Sequence, residues 1–280
     1  MQKLYLIMLR YLLNSLAIFS RARAGKAALK FIFTPRVGRL RPQDRAFLAS
    51  AQWGNVEAEG YKVQYYLWDG SGPTVLLAHG WESNSARWHP LVERLLKRNF
   101  RVLCIDAPAH GESGSPQFSA VLYAQFIAAL LQHLPADYAV GHSAGAMALT
   151  YYETHDPVHP LKKIALLGAP STLRAVLDLY TGFLKISKRA KQGVDESILR
   201  KFGNPVEYYA IEDMALNLTT ECLIVHDEHD DTAPIAGAVR THRNWRGSRL
   251  MRTSGLGHSL QGDAVYEAVI AFLEARSAHP

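Results

Sequence analysis

A serine between two glycines is the residue of this 280-residue chain whose setting points most directly to chemistry. The pattern Gly-His-Ser-Ala-Gly at positions 141–145 follows a short apolar run, 138–140, and precedes a predicted helix that begins at Ala144. A sharp turn from strand to helix projects a serine hydroxyl into open space, and small flanking residues let the two elements approach. The helix N-terminus also favours developing negative charge. We therefore interpret Ser143 as a nucleophile.

A serine nucleophile needs a base, and the base needs a carboxylate that orients it. The chain has twelve histidines, and His258 is favoured because it lies in a glycine-rich turn after a predicted strand at 249–253. The preceding predicted strand, 222–225, leads into the segment 226–234, which contains three aspartates. Nucleophile, acid and base thus occur in the order Ser, Asp, His and are predicted at one sheet edge. Asp106, in a loop after an earlier strand, is the rival acid.

An oxyanion hole is predicted from the tight turn His79-Gly80-Trp81, which follows the strand-like run 74–78. There the backbone N–H of Trp81 is expected to point into the cleft. Together with the N–H of Ala144 it would bind the oxyanion of a tetrahedral intermediate. His79 itself is predicted to make a structural hydrogen bond rather than to act as a second base.

The elements that must position these residues alternate between strand and helix, which predicts an α/β fold with a mostly parallel sheet and helices on both faces. A hairpin is predicted at 56–67 with Gly60 in its turn. The other predicted strands are 74–78, 102–105, 138–140, 163–167, 222–225 and 249–253. The predicted helices are 87–97, 120–134, 144–152, 236–245 and 265–275.

Residues 171–217 interrupt this alternation with a helical, lysine-rich block, which we predict to be a lid insertion over the carboxyl ends of the strands. Apolar residues recur there at helical spacing and form a stripe that includes Leu177, with Phe183 near the same face. We predict that Leu177 and Phe183 contact the acyl part of a substrate. The alternative is that the stripe is ordinary helix core.

At these motifs the chain resembles the α/β-hydrolase-fold serine hydrolases of the esterase and lipase type, from about residue 56 to residue 272. The resemblance rests on the His-Gly-Trp turn, the loop Asp-Ala-Pro-Ala-His-Gly-Glu-Ser at 106–113, the serine turn, the acid loop and the Gly-His pair that contains His258. The family loop carries Gly where this chain has Ala109. Aligning Ala233-Pro234 with the family's Val-Pro implies Asp230 as the acid, with Asp227 in place of a usual Gly. The resemblance implies no metal or organic cofactor.

Composition excludes several classes of protein. Hydrophobic residues make up 48% of the chain and charged residues 20%, as in an ordinary globular protein and unlike a disordered one. No stretch of 18 uninterrupted apolar residues is present, which excludes a multi-spanning membrane protein. Cys104 and Cys222 lie in apolar runs and are predicted to be buried, reduced and structural. No stripe of Lys and Arg interleaved with aromatic residues supports nucleic-acid binding.

The first 50 residues carry ten Lys and Arg against one acid, a charge of +9, while the rest of the chain carries −3. We predict a basic amphipathic helical segment at 1–50 and the hydrolase domain at 51–280. This segment either packs on its own domain or lies on an anionic membrane surface. Ala22-Arg23-Ala24 resembles a signal cleavage site, but Arg10 splits the apolar run, so a cytoplasmic location is favoured over secretion, with association of the segment with a membrane as an open alternative.

Together these features predict a serine hydrolase that cleaves a small-molecule carboxylic ester or thioester through an acyl-enzyme, with Ser143, His258 and Asp230 as the triad. Two alternatives are left open. The chain could be a non-catalytic binding protein on the same fold, or a peripheral membrane protein whose hydrolase activity is incidental.

Overall fold

The computed structural model describes residues 2–155, 157 and 159–276. In it, the apolar runs and helical repeats of the sequence form strands and helices that alternate along most of the chain. The strands are β1 Gln52–Ala58, β2 Tyr61–Trp68, β3 Thr74–Ala78, β4 Arg101–Ile105, β5 Tyr138–His142, β6 Lys163–Leu167, β7 Glu221–Asp227 and β8 Ser248–Thr253. The helices are α1 Gln2–Phe19, α2 Arg21–Phe33, α3 Pro42–Leu48, α4 His89–Lys97, α5 Ala120–His133, α6 Ala144–His155, α7 Leu173–Leu184, α8 Lys188–Phe202, α9 Ile211–Met214, α10 Ile235–Asn244 and α11 Asp263–Glu274.

The strands form one eight-stranded sheet in the order β1-β2-β4-β3-β5-β6-β7-β8. β1 and β2 make the predicted antiparallel hairpin, and β2 also runs antiparallel to β4. Every other neighbouring pair in that order is parallel. Leu76, Leu77 and Ala78 of β3 are all fully buried, although successive side chains of a strand point to opposite faces. Both faces of the central sheet are therefore covered, and the predicted α/β architecture is confirmed.

Parallel strands bring their carboxyl ends to the same edge of the sheet. The turn after β3, the turn after β5, the loop after β7 and the loop after β8 all leave from that edge. These four connections carry the oxyanion, nucleophile, acid and base candidates of the sequence. The sheet topology therefore supplies the proximity that the predicted site requires.

The chain divides into two compact units. The sheet unit comprises Pro35–Ser171 and the residues from Ile211 onward, and the helical unit comprises the residues through Thr34 together with Thr172–Ala210. From the sequence, residues 35–50 are predicted to belong to the basic N-terminal segment. In the structure they instead lie in the sheet unit, where Leu48 is buried.

Within the helical unit, α2 packs directly against α8. A Cβ atom placed on Gly25 would lie 1.9 Å from the carbonyl carbon of Gly193, so the two helix backbones are in contact. Small residues are needed at such a crossing because a side chain would force the helices apart. The interior of the unit is completed by apolar side chains of α2 and α8: Ala24, Ala28, Leu29, Ile32, Phe33, Ala190, Val194 and Ile198.

Both cysteines are buried and unpaired, in agreement with the structural role predicted for them. Burial raises the pKa of the Cys104 and Cys222 thiols well above its usual value, so both are neutral near pH 7. Within the described ranges, no helix combines the length and the apolar character that crossing a membrane requires.

Candidate active site

Ser143 lies in a strained turn between β5 and α6. Its φ angle is +52°, a left-handed conformation that L-residues seldom adopt outside functional sites. A Cβ atom on Gly145 would come within 2.2 Å of the Ala78 carbonyl oxygen, and one on Gly141 within 2.7 Å of the Ala146 backbone. Both glycines are thus required by the close approach of β3, β5 and α6, as the sequence pattern predicts.

The structure brings Ser143, His258 and Asp230 into one hydrogen-bonded chain. Ser143 Oγ lies 2.9 Å from His258 Nε2, and His258 Nδ1 lies 2.7 Å from Asp230 Oδ2. A carboxylate accepts, so Nδ1 carries the imidazole proton and Nε2 is left to accept the serine hydroxyl proton. This is the proton arrangement that a serine nucleophile needs before attack.

Asp230 is held in place by its own loop. Its Oδ1 atom accepts hydrogen bonds from the backbone N–H groups of Thr232 and Ala233, both at 2.8 Å. Burial alone would raise the pKa of this carboxyl. The hydrogen bonds from His258 and from the two N–H groups outweigh burial and hold the pKa below its usual value. Asp231, the neighbouring candidate, is exposed to solvent.

A second buried carboxylate, Asp227, organises the loop that carries His258. Its oxygens accept hydrogen bonds from the Leu256 N–H at 2.9 Å, the Thr253 hydroxyl at 2.8 Å and the His229 N–H at 3.0 Å. Burial opposes ionisation, but these bonds lower the pKa of Asp227 to about 2. Asp227 therefore ties the acid loop to the base loop. In the sequence, Asp227 stands out only because it replaces the glycine usual in the family.

The predicted oxyanion turn lies against the nucleophile. A Cβ atom on Gly80 would come within 3.0 Å of the Ser143 Cβ atom and 2.8 Å of His142 Nδ1. Trp81 follows Gly80 directly, and Ala144 follows Ser143 as the first residue of α6. The first N–H groups of a helix have no partner inside it. The residues that carry the two predicted N–H donors, Trp81 and Ala144, are thus the immediate neighbours of Gly80 and Ser143, which lie against each other.

His79 and Asp106 occupy buried structural positions beside this site. His79 Nδ1 donates to the Gly80 carbonyl at 2.8 Å, and its Nε2 accepts from the Ala107 N–H at 3.0 Å. Burial lowers the pKa of His79 to about 3, so the ring is neutral. Asp106 accepts from the Ser85 hydroxyl at 2.7 Å and the Glu112 N–H at 2.9 Å. These hydrogen bonds of Asp106 connect neighbouring loops. The carboxylate that accepts from the His258 ring is that of Asp230.

Ala109, which stands where the family has glycine, takes a φ angle of +67°. Its N–H donates to the Gly114 carbonyl at 2.8 Å, which closes the turn despite the Cβ atom. The substitution therefore keeps the turn geometry at the cost of local backbone strain.

Arg87 links the nucleophile turn to the base loop, and no sequence motif pointed to it. Its guanidinium donates to His142 Nδ1 and, at 2.9 Å, to the Ser259 carbonyl. His142 Nε2 in turn donates to the His258 carbonyl at 2.8 Å. Burial, together with the Arg87 cation, lowers the pKa of His142 well below its usual value, so the ring stays neutral and accepts from Arg87. Burial lowers the pKa of Arg87 to about 10, which leaves it charged near pH 7.

The other sequence candidates lie in the helical unit. Leu177 of α7 is buried, with 1% of its surface exposed, whereas Phe183 of the same helix is 64% exposed. Their predicted contact with a substrate stays a prediction. Across the described part of the chain, no group of three or more His, Cys, Asp and Glu side chains is arranged to hold a metal ion.

Comparisons with known proteins agree with the fold. The family model described as alpha/beta hydrolase fold matches residues 73–185. The pimeloyl-[acyl-carrier protein] methyl ester esterase of Vibrio vulnificus strain YJ016 is 32% identical over 102 residues, which cover 36% of this chain and 39% of that protein. This match thus spans about two fifths of the esterase's length. A non-heme haloperoxidase of Rhodococcus erythropolis is 24% identical over 269 residues, which cover 78% of this chain and 98% of the relative.

Solved structures give the same picture over most of the chain. An esterase from Exiguobacterium antarcticum superposes with a TM-score of 0.62 at 21% identity, covering 79% of this chain and 99% of that one. A membrane phospholipase A superposes with a TM-score of 0.64 at 15% identity, covering 83% and 88%. The sheet topology, the family match and these superpositions lead to one conclusion: the chain has the α/β-hydrolase fold.

Proposed function

We propose that this protein is a serine hydrolase that cleaves a carboxylic ester or thioester through an acyl-enzyme. The observation that supports this most directly is the hydrogen-bonded chain from Ser143 through His258 to Asp230 on a strained turn. Several similar proteins have names that denote ester hydrolysis, among them the pimeloyl-[acyl-carrier protein] methyl ester esterase and the Exiguobacterium esterase. These names support an ester as the class of substrate.

In the proposed mechanism, Ser143 Oγ attacks the carbonyl carbon while its proton passes to His258 Nε2. The carbonyl oxygen becomes an oxyanion, which accepts hydrogen bonds from the Trp81 and Ala144 N–H groups. Asp230 keeps the Nδ1 proton and stabilises the imidazolium. When the intermediate collapses, the alcohol or thiol leaves with the proton from Nε2, and the acyl group stays on Ser143. Water then repeats the sequence and releases the carboxylic acid.

The triad is tested by hydrolysis of p-nitrophenyl esters. Ser143→Ala is expected to lower kcat by about 10⁴- to 10⁶-fold. Asp230→Asn is expected to lower it by about 10³- to 10⁴-fold, because the imidazole loses the acceptor for its Nδ1 proton. Asp231→Asn is the matched control, since this exposed neighbour should leave kcat within a few-fold of the wild type. Substantial activity in Ser143→Ala, or a larger loss in Asp231→Asn than in Asp230→Asn, contradicts the proposal.

Labelling with a fluorophosphonate separates a wrong choice of substrate from a protein without catalysis. An activated serine is phosphonylated irreversibly, whatever ester the enzyme prefers. Mass spectrometry should find the adduct on Ser143 in the wild type, and Asp230→Asn should react much more slowly. A wild-type protein that neither hydrolyses any ester nor forms this adduct would support the non-catalytic alternative.

The finer part of the proposal concerns acyl-chain selection by Leu177 and Phe183. Leu177 is buried, so its substitution should mainly cost stability. Phe183 is largely exposed, so Phe183→Ala reports on specificity rather than on stability. Its control is Leu199→Ala, at an exposed apolar residue of α8. We expect Phe183→Ala to change the ratio of kcat/KM between acetate, butyrate and octanoate esters. Unchanged ratios would favour the ordinary-core alternative.

A further inference from the structure

Helix α1, Gln2–Phe19, presents a broad apolar surface to solvent. At about 100° per residue, its exposed large side chains fall in one sector of roughly 160° around the helix axis, which also contains the exposed Ser15. We call this set the α1 apolar face. Its members, each at least half exposed, are Leu4, Tyr5, Ile7, Met8, Tyr11, Leu12, Ile18 and Phe19.

The opposite side of α1 is fixed to the helical unit. Leu13 and Ala17 are buried. Asn14 Oδ1 accepts a hydrogen bond from the Ser187 N–H at 2.7 Å, and Arg189 Nε donates to the Ala17 carbonyl at 2.6 Å. These contacts hold α1 in one orientation, with its apolar face turned to solvent. The face is therefore a surface of the folded unit.

A surface on which eight large apolar side chains cluster in this way indicates a binding site, because isolated exposed hydrophobic residues are ordinary but clusters of them are rare on soluble domains. Insertion of α1 across a bilayer does not fit, because the helix is too polar to span one and its other side is packed against its own unit. An amphipathic helix with one apolar side and one anchored side instead lies in the plane of a membrane surface.

The charge of the helical unit indicates which partner covers the face. The unit carries thirteen Lys and Arg against four acids, a formal charge of +9, whereas the rest of the chain carries −3. All four acids are already paired with basic groups inside the unit. The pairs are Arg174 with Asp195 and Glu207, Arg21 with Glu196, and Lys191 with Asp178.

The excess positive charge therefore remains available to an external anion. Arg23 and Lys26 of α2 are exposed, and Arg23 follows the end of the α1 apolar face by four residues. A second copy of the chain would bring a second charge of +9 to the same surface and be repelled. Anionic lipid headgroups satisfy the basic side chains while the acyl region takes up the apolar face.

We propose that the α1 apolar face docks this protein on the surface of a bilayer that contains anionic phospholipid. This narrows the membrane contact expected of residues 1–50 to one helix face and its neighbouring basic residues. It is independent of the proposed hydrolase activity, since no residue of the triad or of the oxyanion turn lies in the helical unit.

The test is sedimentation of the full-length protein with vesicles of phosphatidylcholine alone or of phosphatidylcholine mixed with phosphatidylglycerol. We expect the protein to sediment with the mixed vesicles and to be released as salt screens the charges. The double variant Ile18→Ser with Phe19→Ser should lower the partition coefficient by about tenfold or more. Its control is Leu216→Ser, at another largely exposed apolar residue in the sheet unit, which should bind like the wild type.

A charge variant tests the second half of the proposal. Arg23→Gln with Lys26→Gln should weaken binding to the anionic vesicles, whereas Arg243→Gln with Arg246→Gln, exposed residues of the sheet unit, should not. All four positions are on the surface, so circular dichroism should show wild-type folding. Full-length protein that ignores anionic vesicles overturns the proposal. A dimer that the Ile18 and Phe19 substitutions dissociate, without vesicle binding, overturns it in favour of a second copy.

Discussion

At the scale of single residues, Arg87 lies near Ser143, and its residue type alone does not indicate what it does there. Its guanidinium bridges the serine turn, through His142, and the base loop, through the Ser259 carbonyl. It touches no atom of the triad side chains in the bonds described, so we regard it as a positioning residue. Its effect should reach the reaction through the placement of His258.

We predict that Arg87→Met lowers kcat by about 10- to 100-fold while KM for a p-nitrophenyl ester changes little, because two charge-assisted hydrogen bonds to the loops are lost. Arg87→Lys keeps the charge and should recover part of the loss. Arg98→Met, which removes an exposed arginine of the same unit, is the control. A purely structural role would lower stability in Arg87→Met while leaving the kcat of the folded fraction unchanged.

The site could be predicted from sequence only where residue type and local pattern coincide. Ser143 is marked by its glycines, and Asp230 and His258 by their loops. Arg87 and Asp227 are not marked, because their partners are brought together by the sheet. Arg87 donates to the carbonyl of Ser259, 172 residues away along the chain. Asp227 accepts a hydrogen bond from Leu256, which lies in the loop after the next strand. Such contacts depend on strand order, which local periodicity does not contain.

At the scale of the elements, the crossing of α2 and α8 depends on two glycines. A Cβ atom on Gly193 would lie 1.9 Å from the backbone oxygen of Arg21, and backbone cannot move aside as a side chain can. Gly182 in α7 offers the opposite case, with nothing within 4 Å of an added Cβ. The two positions form a matched pair for the same substitution.

We predict that Gly193→Ala destabilises the protein by about 3 kcal/mol, because the helices must separate to admit the methyl group. Gly182→Ala should stabilise it by up to about 1 kcal/mol through helix propensity. Urea denaturation followed by circular dichroism measures both. Equal midpoints for the two variants would show that α2 and α8 are not in the close contact described.

The strands of the sheet were predictable for a physical reason that does not extend to α2 and α8. β3 and β6 coincide with their predicted ranges, because a strand buried on both faces must be a continuous apolar run. In the sequence, the only mark of the pairing between α2 and α8 is one glycine in each helix, Gly25 and Gly193. The rest of both segments has an ordinary helical pattern. The sequence separated an N-terminal segment from a block at 171–217, whereas the structure groups residues of both in one helical unit.

At the scale of the whole molecule, buried neutral histidines couple folding to pH. Burial lowers the pKa values of His79 and His110 to about 3 each and, with the Arg87 cation, lowers that of His142 well below its usual value. Between the ordinary histidine value of about 6.5 and about 3, the unfolded chain therefore binds more protons than the folded one. Stability consequently rises with pH across this window and falls as acid is added. Asp227, with its pKa lowered to about 2, adds a loss of stability only at more acidic pH.

We predict that the free energy of unfolding falls by about 4 kcal/mol per pH unit below about pH 6, since each of the three histidines contributes about one third of the slope. Urea denaturation between about pH 7 and pH 5 measures the slope. His110→Gln should reduce the slope by about a third, whatever its effect on stability at neutral pH. His89→Gln, at an exposed position, should leave it unchanged. A flat profile over this range contradicts the prediction.

The glycine contact between α2 and α8 also sets an order of events during synthesis. Gly25 precedes Gly193 by 168 residues, so a ribosome must make most of the sheet before the partner of α2 exists. At typical translation rates of about 5 to 20 residues per second, that interval lasts roughly 10 to 30 s. During that time the apolar side chains of α2, such as Ala28 and Leu29, lack the helix against which they pack. The apolar side of α2 that packs on α8 therefore stays uncovered in the nascent chain until α8 is translated.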